Sequence, residues 1–162
     1  MENIRIGTGF DVHRFITGRP LVLGGVTIDH PMGLEGHSDA DVLVHAIIDA
    51  LLGASNLPDI GQLFPDSSSS YKNISSLVLL EKVSALLRDK GISVINLDST
   101  VICDRPKIAR YIPDMKKNIS EAMIGVSTDR IGIKGTTTEG LGFTGRGEGI
   151  AAQAVALVQL TI

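Results

Sequence analysis

The spacing of apolar residues along the chain alternates between the period of a β-strand and that of an α-helix. Residues 3–13 are typical of a strand, and residues 20–28 are typical of a pair of strands broken at Gly24-Gly25. Apolar residues then recur every three or four positions, which predicts a helix over about residues 39–54. Ser38 is its predicted N-cap, and Asp41 stands where a carboxylate can reach back to the first turn.

The strongest helical period lies at residues 74–90, and Gly91 is predicted to end this helix. Residues 93–103 then alternate well enough to predict a buried strand. The second half of the chain therefore begins with an amphipathic helix followed by a strand. The inward positions of the helix are predicted to be Leu77, Leu80, Val83, Ala85, Leu86 and Leu87.

The last third of the chain continues the alternation. A helix is predicted from the turn at residues 104–107 to about Met123, with a kink near Pro113 because proline disrupts a helix interior. Residues 130–138 are typical of a strand. Residues 150–162 leave helix and strand open, since alanine favours a helix while the β-branched residues allow a strand.

This order of elements predicts an α/β (α+β) fold, a two-layer sandwich in which helices cover one face of a mixed β-sheet. Residues 1–162 are enough to bury a sizeable core and contain no repeat or linker, which predicts a single domain. The serine-rich stretch at residues 66–71 is predicted to form a mobile loop.

The composition excludes several classes of protein. A net charge of −3 disfavours binding to nucleic acid or to a membrane surface, since both attract basic faces. The single cysteine, Cys103, cannot form an internal disulfide, which predicts a reducing compartment. No apolar run approaches the length of a membrane span, and the first residues lack the apolar core of a signal peptide. We expect a cytoplasmic protein.

The sequence Asp11-Val12-His13 is the first candidate for chemistry. Residues two apart in a strand point to the same face, so this carboxylate and imidazole can converge on one metal ion. Zinc accepts both ligand types, and His45 in the following helix is the best candidate for a third ligand. Three protein ligands leave one position open, as in catalytic zinc sites. A D-x-H pair is common, however, and a satisfied core histidine remains an alternative for His45.

Two aspartates and a histidine surround His45 in the sequence. Asp41 and Asp49 each lie four residues from His45, so either could accept the second N–H of a ligating imidazole. The alternative is that Asp41 caps the helix and Asp49 is a solvated acid. His37 precedes a helix N-terminus, which favours anions, and is either a donor to a phosphoryl oxygen or a polar residue before a cap.

Residues 134–149 form the second candidate segment. Three threonine hydroxyls, flexible backbone amides and Arg146 suit a polyphosphate, and Glu139 suits the divalent cation that accompanies one. The segment lacks the Gly-Lys-Ser/Thr of a P-loop. The alternative is a glycine-rich turn with exposed threonines.

Five motifs then occur in a fixed order along the chain. They are G-F-D-V-H (9–13), G-H-S-D-A-D-V-x-x-H-A-x-x-D-A-L-L-G (36–53), D-I-G-x-L-F-P-D (59–66), P-K-I (106–108) and K-G-T-T-T-E-G-L-G-F-T-G-R-G-E-G-I (134–150). From about residue 4 to the C-terminus, the chain resembles the 2-C-methyl-D-erythritol 2,4-cyclodiphosphate synthases of the non-mevalonate isoprenoid pathway. Each motif alone is weak, whereas the five together are highly specific.

The resemblance implies a reaction and an assembly. Members of this family are phosphorus–oxygen lyases that convert 4-diphosphocytidyl-2-C-methyl-D-erythritol 2-phosphate to 2-C-methyl-D-erythritol 2,4-cyclodiphosphate and CMP. The 2-phosphate attacks the β-phosphorus with the help of Zn²⁺ and of Mg²⁺ or Mn²⁺. The resemblance also implies that the chain forms a homotrimer whose active sites lie between adjacent subunits.

The resemblance also implies roles for individual residues. It implies that the zinc ligands are Asp11, His13 and His45. It implies that Glu139 is a ligand to magnesium or manganese, and that His37 and Thr137 stabilise the transition state. It implies contacts to the methylerythritol diphosphate, the ribose and the cytosine at Asp11, Val12, His13, His37, Ser38, Asp59, Ile60, Gly61, Phe64, Pro65, Asp66, Ser67, Ser68, Cys103, Asp104, Arg105, Pro106, Lys107, Ile108, Ala109, Thr136, Thr137, Thr138, Glu139, Phe143 and Arg146.

Two departures from the family's usual residues are visible, at Ser68 and at Cys103-Asp104-Arg105. Cytosine is commonly recognised in this segment through backbone groups, so we expect altered affinity rather than altered base choice.

Two other functions stay open. One is a metal-dependent phosphoesterase, and the other is a non-catalytic module that holds an isoprenoid diphosphate on a trimer axis near Phe10, Arg146 and Glu148.

Overall fold

A mixed β-sheet forms one layer of the molecule. The computed structural model describes residues 3–65, 67 and 71–161. Its strands are β1 (Asn3–Ile16), β2 (Leu21–Leu23), β3 (Val26–Ile28), β4 (Gly33–Leu34), β5 (Ile92–Ile102), β6 (Ile131–Thr136) and β7 (Gly149–Leu160). The sheet has five strands in the order β4-β1-β7-β5-β6, and β2 and β3 form a separate hairpin. Within the sheet, β5 and β6 are parallel and the other neighbours are antiparallel.

Helices form the second layer. They are α1 (Val42–Ala54), α2 (Ile60–Leu63), α3 (Ser76–Asp89), α4 (Ile112–Ala122) and α5 (Gly142–Gly145), with 3₁₀ turns at Ala109–Tyr111 and Thr128–Arg130. Helix α1 packs on β1 and β7, α3 packs on β5, and α4 packs on β6. The predicted mixed sheet with helices on one face is therefore confirmed. Among the described residues, no helix combines the length and the apolar character needed to cross a bilayer.

The C-terminal segment, which the pattern left open, is the central strand β7. Its even-numbered residues from 150 to 158 face the helices and are buried, because β7 is paired on both sides and covered by α1. Three of them are alanines, which leave room for that helix. These buried residues are Ile150, Ala152, Ala154, Ala156 and Val158.

Two predictions about the later helices are wrong in detail. Pro113 lies in the first turn of α4 rather than at a kink, because a proline without an N–H fits a helix start. In α3 the buried stripe includes Leu79, while Leu77, Ala85 and Leu86 are only partly buried. Helical geometry buries positions three and four apart, so three consecutive residues cannot all face the core.

Two glycines let α1 lie directly against β1. A Cβ at Gly7 would lie 2.2 Å from the Ala50 carbonyl oxygen, and one at Gly9 would lie 1.9 Å from the Ala46 carbonyl oxygen. No side chain fits at such distances, so only glycine permits this approach of strand and helix. The close packing sets the distance between the end of β1 and His45 on α1.

The N-terminus of α1 is capped by Asp41, not by the predicted Ser38. Asp41 is fully buried, and its carboxylate accepts hydrogen bonds from the backbone N–H groups of Gly24 (3.0 Å), Gly25 (2.7 Å) and Val44 (3.1 Å). Capping accounts for the Val44 bond, while the glycine bonds attach the β2–β3 turn to the helix. The reading of Asp41 as a capping residue is therefore confirmed.

We expect Asp41→Ala to lower the free energy of unfolding by about 3 kcal/mol or more, because it leaves three backbone N–H groups, two of them buried, without an acceptor. Urea unfolding at one fixed protein concentration measures the change. The control is Glu121→Ala, which removes an exposed carboxylate 4.0 Å from Lys117 and should change stability by no more than about 0.5 kcal/mol. Equal effects of the two variants would contradict the role assigned to Asp41.

The sheet face opposite the helices is apolar and open in the single chain. The even-numbered residues of β1 point to this face, and Ile6 and Phe10 expose 67% and 59% of their surfaces. Ile4 and Val12 are also exposed on it. Exposed apolar side chains grouped on one strand face in this way mark an interaction surface on a soluble protein.

Candidate active site

Asp11, His13 and His45 meet where the end of β1 lies against α1. Asp11 Oδ2 is 3.0 Å from both His13 Nε2 and His45 Nδ1, and these two nitrogens are 3.2 Å apart. Ligand atoms around a tetrahedral zinc ion with bonds of 2.0–2.1 Å are about 3.3 Å apart. The three predicted ligands therefore form a cluster that fits one metal ion.

The second nitrogen of each imidazole has an acceptor that fixes the tautomer. We assign a hydrogen bond from His13 Nδ1 to the Glu35 carbonyl oxygen (2.6 Å) and one from His45 Nε2 to Ser76 Oγ (2.8 Å). His13 Nε2 and His45 Nδ1 then point their lone pairs at the same place, beside the Asp11 carboxylate. Neutral imidazoles in these tautomers are the form that binds a metal.

The prediction that Asp41 or Asp49 orients His45 is wrong. Asp49 Oδ1 accepts a hydrogen bond from the Ile60 backbone N–H at 2.9 Å, and Asp41 bonds backbone groups on the far side of the helix start. The sequence gives no sign of Ser76, which lies 31 residues from His45 and reaches it only through the packing of α3 on α1.

The electrostatics of the cluster favour a charged Asp11. Burial opposes ionisation, but where ring protons rather than a metal lie against the carboxylate, hydrogen bonds from His13 and His45 outweigh burial and hold the pKa of Asp11 well below its usual range. Burial likewise opposes a charge on His13, yet the hydrogen bond and the charge of Asp11 raise the pKa of His13 above its usual value. A divalent cation would take the place of these shared protons.

A cavity of about 250 Å³ opens beside the three candidate ligands. It combines the metal cluster with the loop that carries His37 and with the helix α2, so it brings the first three sequence motifs together. The lining residues that were predicted are Asp11, His13, His37, Ser38, His45, Ile60, Gly61 and Phe64, and those that were not are Glu35, Gly36, Tyr71, Ile74 and Leu79.

A second cavity of about 240 Å³ lies at the other edge of the sheet. It joins the segment after β5 to the end of β6, which were predicted to hold the cytosine. The predicted residues in its lining are Cys103, Pro106, Lys107, Ile108, Ala109, Thr136 and Thr137, and Ile112 and Gly135 complete it. Burial raises the pKa of the Cys103 thiol to about 11, so this group is a protonated wall of the cavity.

The candidate ligand for a second metal is next to this cavity. Glu139 is exposed, and its Oε1 accepts a hydrogen bond from Thr137 Oγ1 at 3.1 Å. The carboxylate and the hydroxyl that the resemblance implies in catalysis thus lie side by side. Arg146 is instead engaged with Glu148 through an Nε–Oε1 contact of 2.8 Å, and its contact with a diphosphate stays a prediction.

Several predicted substrate residues line neither cavity. The side chain of Val12 points to the open sheet face, and Asp59 caps α2 by accepting the Gln62 N–H at 3.0 Å. Asp66 and Ser68 lie outside the described residues. The others that line neither cavity are Pro65, Ser67, Asp104, Arg105, Thr138, Glu139, Phe143 and Arg146.

The two cavities share no lining residue within the described chain. Asp11 pairs with Ala152, Ala152 with Val101, and Val101 with Gly135, so the metal cluster and the second cavity lie in one row across the sheet. Three strand spacings separate their ends, on the order of 14 Å. The predicted substrate residues are thus divided between two distant places in one chain.

Comparison with known proteins identifies the family of this chain. The profile of the YgbB family matches residues 4–159. The 2-C-methyl-D-erythritol 2,4-cyclodiphosphate synthase of Clostridium acetobutylicum is 56% identical over 96% of this chain and 99% of its own, and that of Caldicellulosiruptor bescii is 58% identical over 95% and 98%. The solved structure of IspF from Plasmodium falciparum in complex with CDP is 34% identical, with a TM-score of 0.85 over 98% of this chain and 97% of that one. The chain therefore belongs to the YgbB family, that of the 2-C-methyl-D-erythritol 2,4-cyclodiphosphate synthases.

Proposed function

We propose that this chain converts 4-diphosphocytidyl-2-C-methyl-D-erythritol 2-phosphate to 2-C-methyl-D-erythritol 2,4-cyclodiphosphate and CMP, in non-mevalonate isoprenoid biosynthesis. The observation that carries the proposal is the convergence of Asp11, His13 and His45 on the wall of a cavity. It occurs in a chain that matches synthases of this reaction along nearly its full length.

The reaction is an intramolecular phosphoryl transfer. An oxygen of the 2-phosphate forms a bond to the β-phosphorus, and the bond from that phosphorus to the bridging oxygen breaks so that CMP leaves. Such a transfer depends on positioning and on stabilising charge rather than on a side-chain nucleophile. The protonated Cys103 is consistent with this, because only a thiolate would be a nucleophile.

The metals and the surrounding side chains would divide this work. Zinc on Asp11, His13 and His45 would polarise a phosphate oxygen, and magnesium or manganese near Glu139 would neutralise charge on the departing CMP. His37 lines the same cavity as the zinc ligands and would donate a hydrogen bond to a phosphoryl oxygen. Thr137 would donate another from the second cavity.

The cavity at Cys103, Lys107 and Thr136 would hold the cytidine. Its wall is largely apolar, which suits a base held between aliphatic side chains. The CDP complex of the Plasmodium falciparum relative supports a nucleotide substrate.

We also propose that the chain assembles as a homotrimer with active sites between subunits. The open apolar sheet face needs a cover, and a substrate that reaches both a metal cluster and a cytidine cavity would bridge two neighbouring chains. Sedimentation equilibrium should give three times the chain mass, and Ile6→Glu on this face should lower that mass. A monomer with full activity would contradict the assembly.

Product analysis tests the reaction. We expect the chain to release CMP and a cyclic diphosphate, and a chelator to abolish both. In water labelled with oxygen-18 the cyclic product should contain no label, because no water enters it. Labelled phosphate products would instead indicate a phosphoesterase. Failure to release CMP from metal-loaded protein would favour the non-catalytic binding module.

Glu139→Gln tests the second metal. Glutamine keeps the acceptor for Thr137 but removes the negative charge that a hard divalent cation prefers. We expect the magnesium concentration for half-maximal activity to rise about tenfold, with the deficit largest at low magnesium. Glu121→Gln, which removes the charge of an exposed carboxylate on α4, is the control. An unchanged magnesium titration would count against a metal at Glu139.

A further inference from the structure

We propose that Ser76 and Asp39 are positioning residues of the metal centre, which set the orientation and tautomer of His45. This inference rests on the proposed function only in that Asp11, His13 and His45 bind a divalent metal. It concerns two residues, on α3 and on the loop before α1, that reach the metal only through His45.

The Ser76 hydroxyl is the acceptor for the second N–H group of His45. Ser76 Oγ lies 2.8 Å from His45 Nε2, on the side of the ring opposite the metal face. The Ser38 hydroxyl is also near, but at 3.2 Å, and it accepts the Ala40 backbone N–H. Ser76 is therefore the closer acceptor for the imidazole N–H.

The Ser76 hydroxyl accepts the hydrogen bond from His45 because its own proton is donated to Asp39. Ser76 Oγ donates to Asp39 Oδ1 in a short hydrogen bond. Asp39 Oδ2 accepts the Ser76 backbone N–H at 2.9 Å. The carboxylate thus holds Ser76 through two groups, and the chain of donors runs from His45 through Ser76 to Asp39.

The backbone holds Ser76 and Asp39 rigidly in these hydrogen bonds. Ser76 is fully buried and is the first residue of α3, a helix of 14 residues. Asp39 is followed by Ala40, whose φ of 56° lies in the left-handed region. This turn lets Asp39 face α3 while Asp41 faces the β2–β3 hairpin. A left-handed alanine persists only where its surroundings determine it.

Two backbone hydrogen bonds also attach the segment just before α3 to the loop that carries His37. The Asn73 N–H donates to the His37 carbonyl oxygen at 2.8 Å, and the Asp39 N–H donates to the Ile74 carbonyl oxygen at 3.1 Å. The backbone of His37 and the ring of His45 are therefore held by one segment, residues 73–76. Residues that hydrogen-bond a metal ligand without touching the metal commonly contribute 10-fold to 100-fold to metal affinity.

Zinc binding to the whole chain tests the inference, with a fluorescent chelator as competitor and zinc alone as the probe. We expect Ser76→Ala to weaken zinc binding about 10-fold to 100-fold. Asp39→Asn should weaken it similarly, and the double variant should be no weaker than the weaker single variant. With cobalt in place of zinc, the visible absorption bands should shift in the same variants, because the ligand field depends on the orientation of His45.

Ser84→Ala is the matched control. Ser84 is a buried serine on the same helix, and its Oγ accepts the Ile124 N–H at 2.8 Å, far from the cluster. We expect Ser84→Ala to lower stability but to leave zinc affinity and the cobalt spectrum unchanged. If Ser76→Ala does not fold, Asp39→Asn decides the question by the same criteria.

The result can separate this inference from the proposed function. Zinc affinity within twofold of the unaltered chain in Ser76→Ala and Asp39→Asn would overturn the inference, while cyclisation by the unaltered chain would stand. An equal loss of affinity in Ser84→Ala would also overturn it, since the effect would then be general destabilisation. Absence of zinc binding by the unaltered chain would overturn both.

Discussion

His45→Ala is expected to lose its bound zinc and to slow cyclisation by about a thousandfold, since the metal's Lewis acidity is worth several kcal/mol to the transition state. Two ligands would remain, Asp11 and His13, and they rarely make a dedicated site by themselves. The fold should survive, because the packing of α1 on β1 depends on glycine and alanine contacts and not on the imidazole. Zinc content by elemental analysis and CMP release measure the two losses.

His30→Ala is the control for removing a histidine. His30 stacks on Phe15 with ring centroids 4.9 Å apart and hydrogen-bonds the Met32 carbonyl oxygen, away from the cluster. We expect it to keep one zinc per chain and near-normal turnover. A full zinc equivalent in His45→Ala would contradict the ligand assignment, and loss of zinc in both variants would point to a general effect on the fold.

The sequence predicts the helix and strand pattern well where packing follows local periodicity. The alternation in residues 93–103 and the amphipathic period in 74–90 correspond to β5 and α3 within two residues. β7 was ambiguous, because a central strand between two others is buried along one whole face and looks like a buried helix in sequence. Short elements such as α2 and α5 have too few residues to show a period.

The cluster of Asp11, His13 and His45 is predictable because aspartate and histidine are residue types that bind metals. Asp11 and His13 share a face by strand geometry, and His45 is the best candidate for a third ligand before the family motifs are considered. The groups that complete the site are different. Glu35 contributes only a backbone carbonyl oxygen, and Ser76 is one serine among many. Their roles arise from tertiary packing, which a single sequence does not report.

The helix start illustrates the same limit. Both Ser38 and Asp41 are good N-cap residues, and local preference favours neither decisively. The β2–β3 hairpin decides the matter, since Gly24 and Gly25 direct their N–H groups to Asp41 and require its carboxylate there. Ser38 therefore does not cap the helix, and its hydroxyl lies 3.2 Å from His45 Nε2.

Gly9→Ala is expected to damage both the fold and the metal centre. The added Cβ would lie 1.9 Å from the Ala46 carbonyl oxygen and 2.7 Å from the Ala50 nitrogen, so α1 must move away from β1. Overpacking of this kind costs about 3 kcal/mol of unfolding free energy. His45 directly precedes Ala46 on α1, and Asp11 lies two residues after Gly9 on β1. A movement of α1 away from β1 would therefore separate the ligands.

The two effects can be measured separately. Urea unfolding at fixed protein concentration reports the fold, and competition with a chelator reports zinc affinity in the remaining folded protein. A displacement of the helix by about 1 Å should reduce turnover about a hundredfold, since reactions that depend on positioning are sensitive to such shifts. Magnesium should not restore the activity, because the defect lies in the zinc ligands.

Gly53→Ala provides the matched glycine substitution across the same interface. Gly53 lies within α1, and a Cβ there would be 3.7 Å from the Thr8 carbonyl oxygen, an ordinary contact. Alanine should stabilise the helix by about 0.5–1 kcal/mol and leave zinc affinity unchanged. If Gly9→Ala kept full stability and zinc affinity, the close approach of β1 and α1 could not be what sets the geometry of the cluster. If Gly53→Ala lost zinc as well, any change in this interface would affect the site, and the role of Gly9 would not be specific.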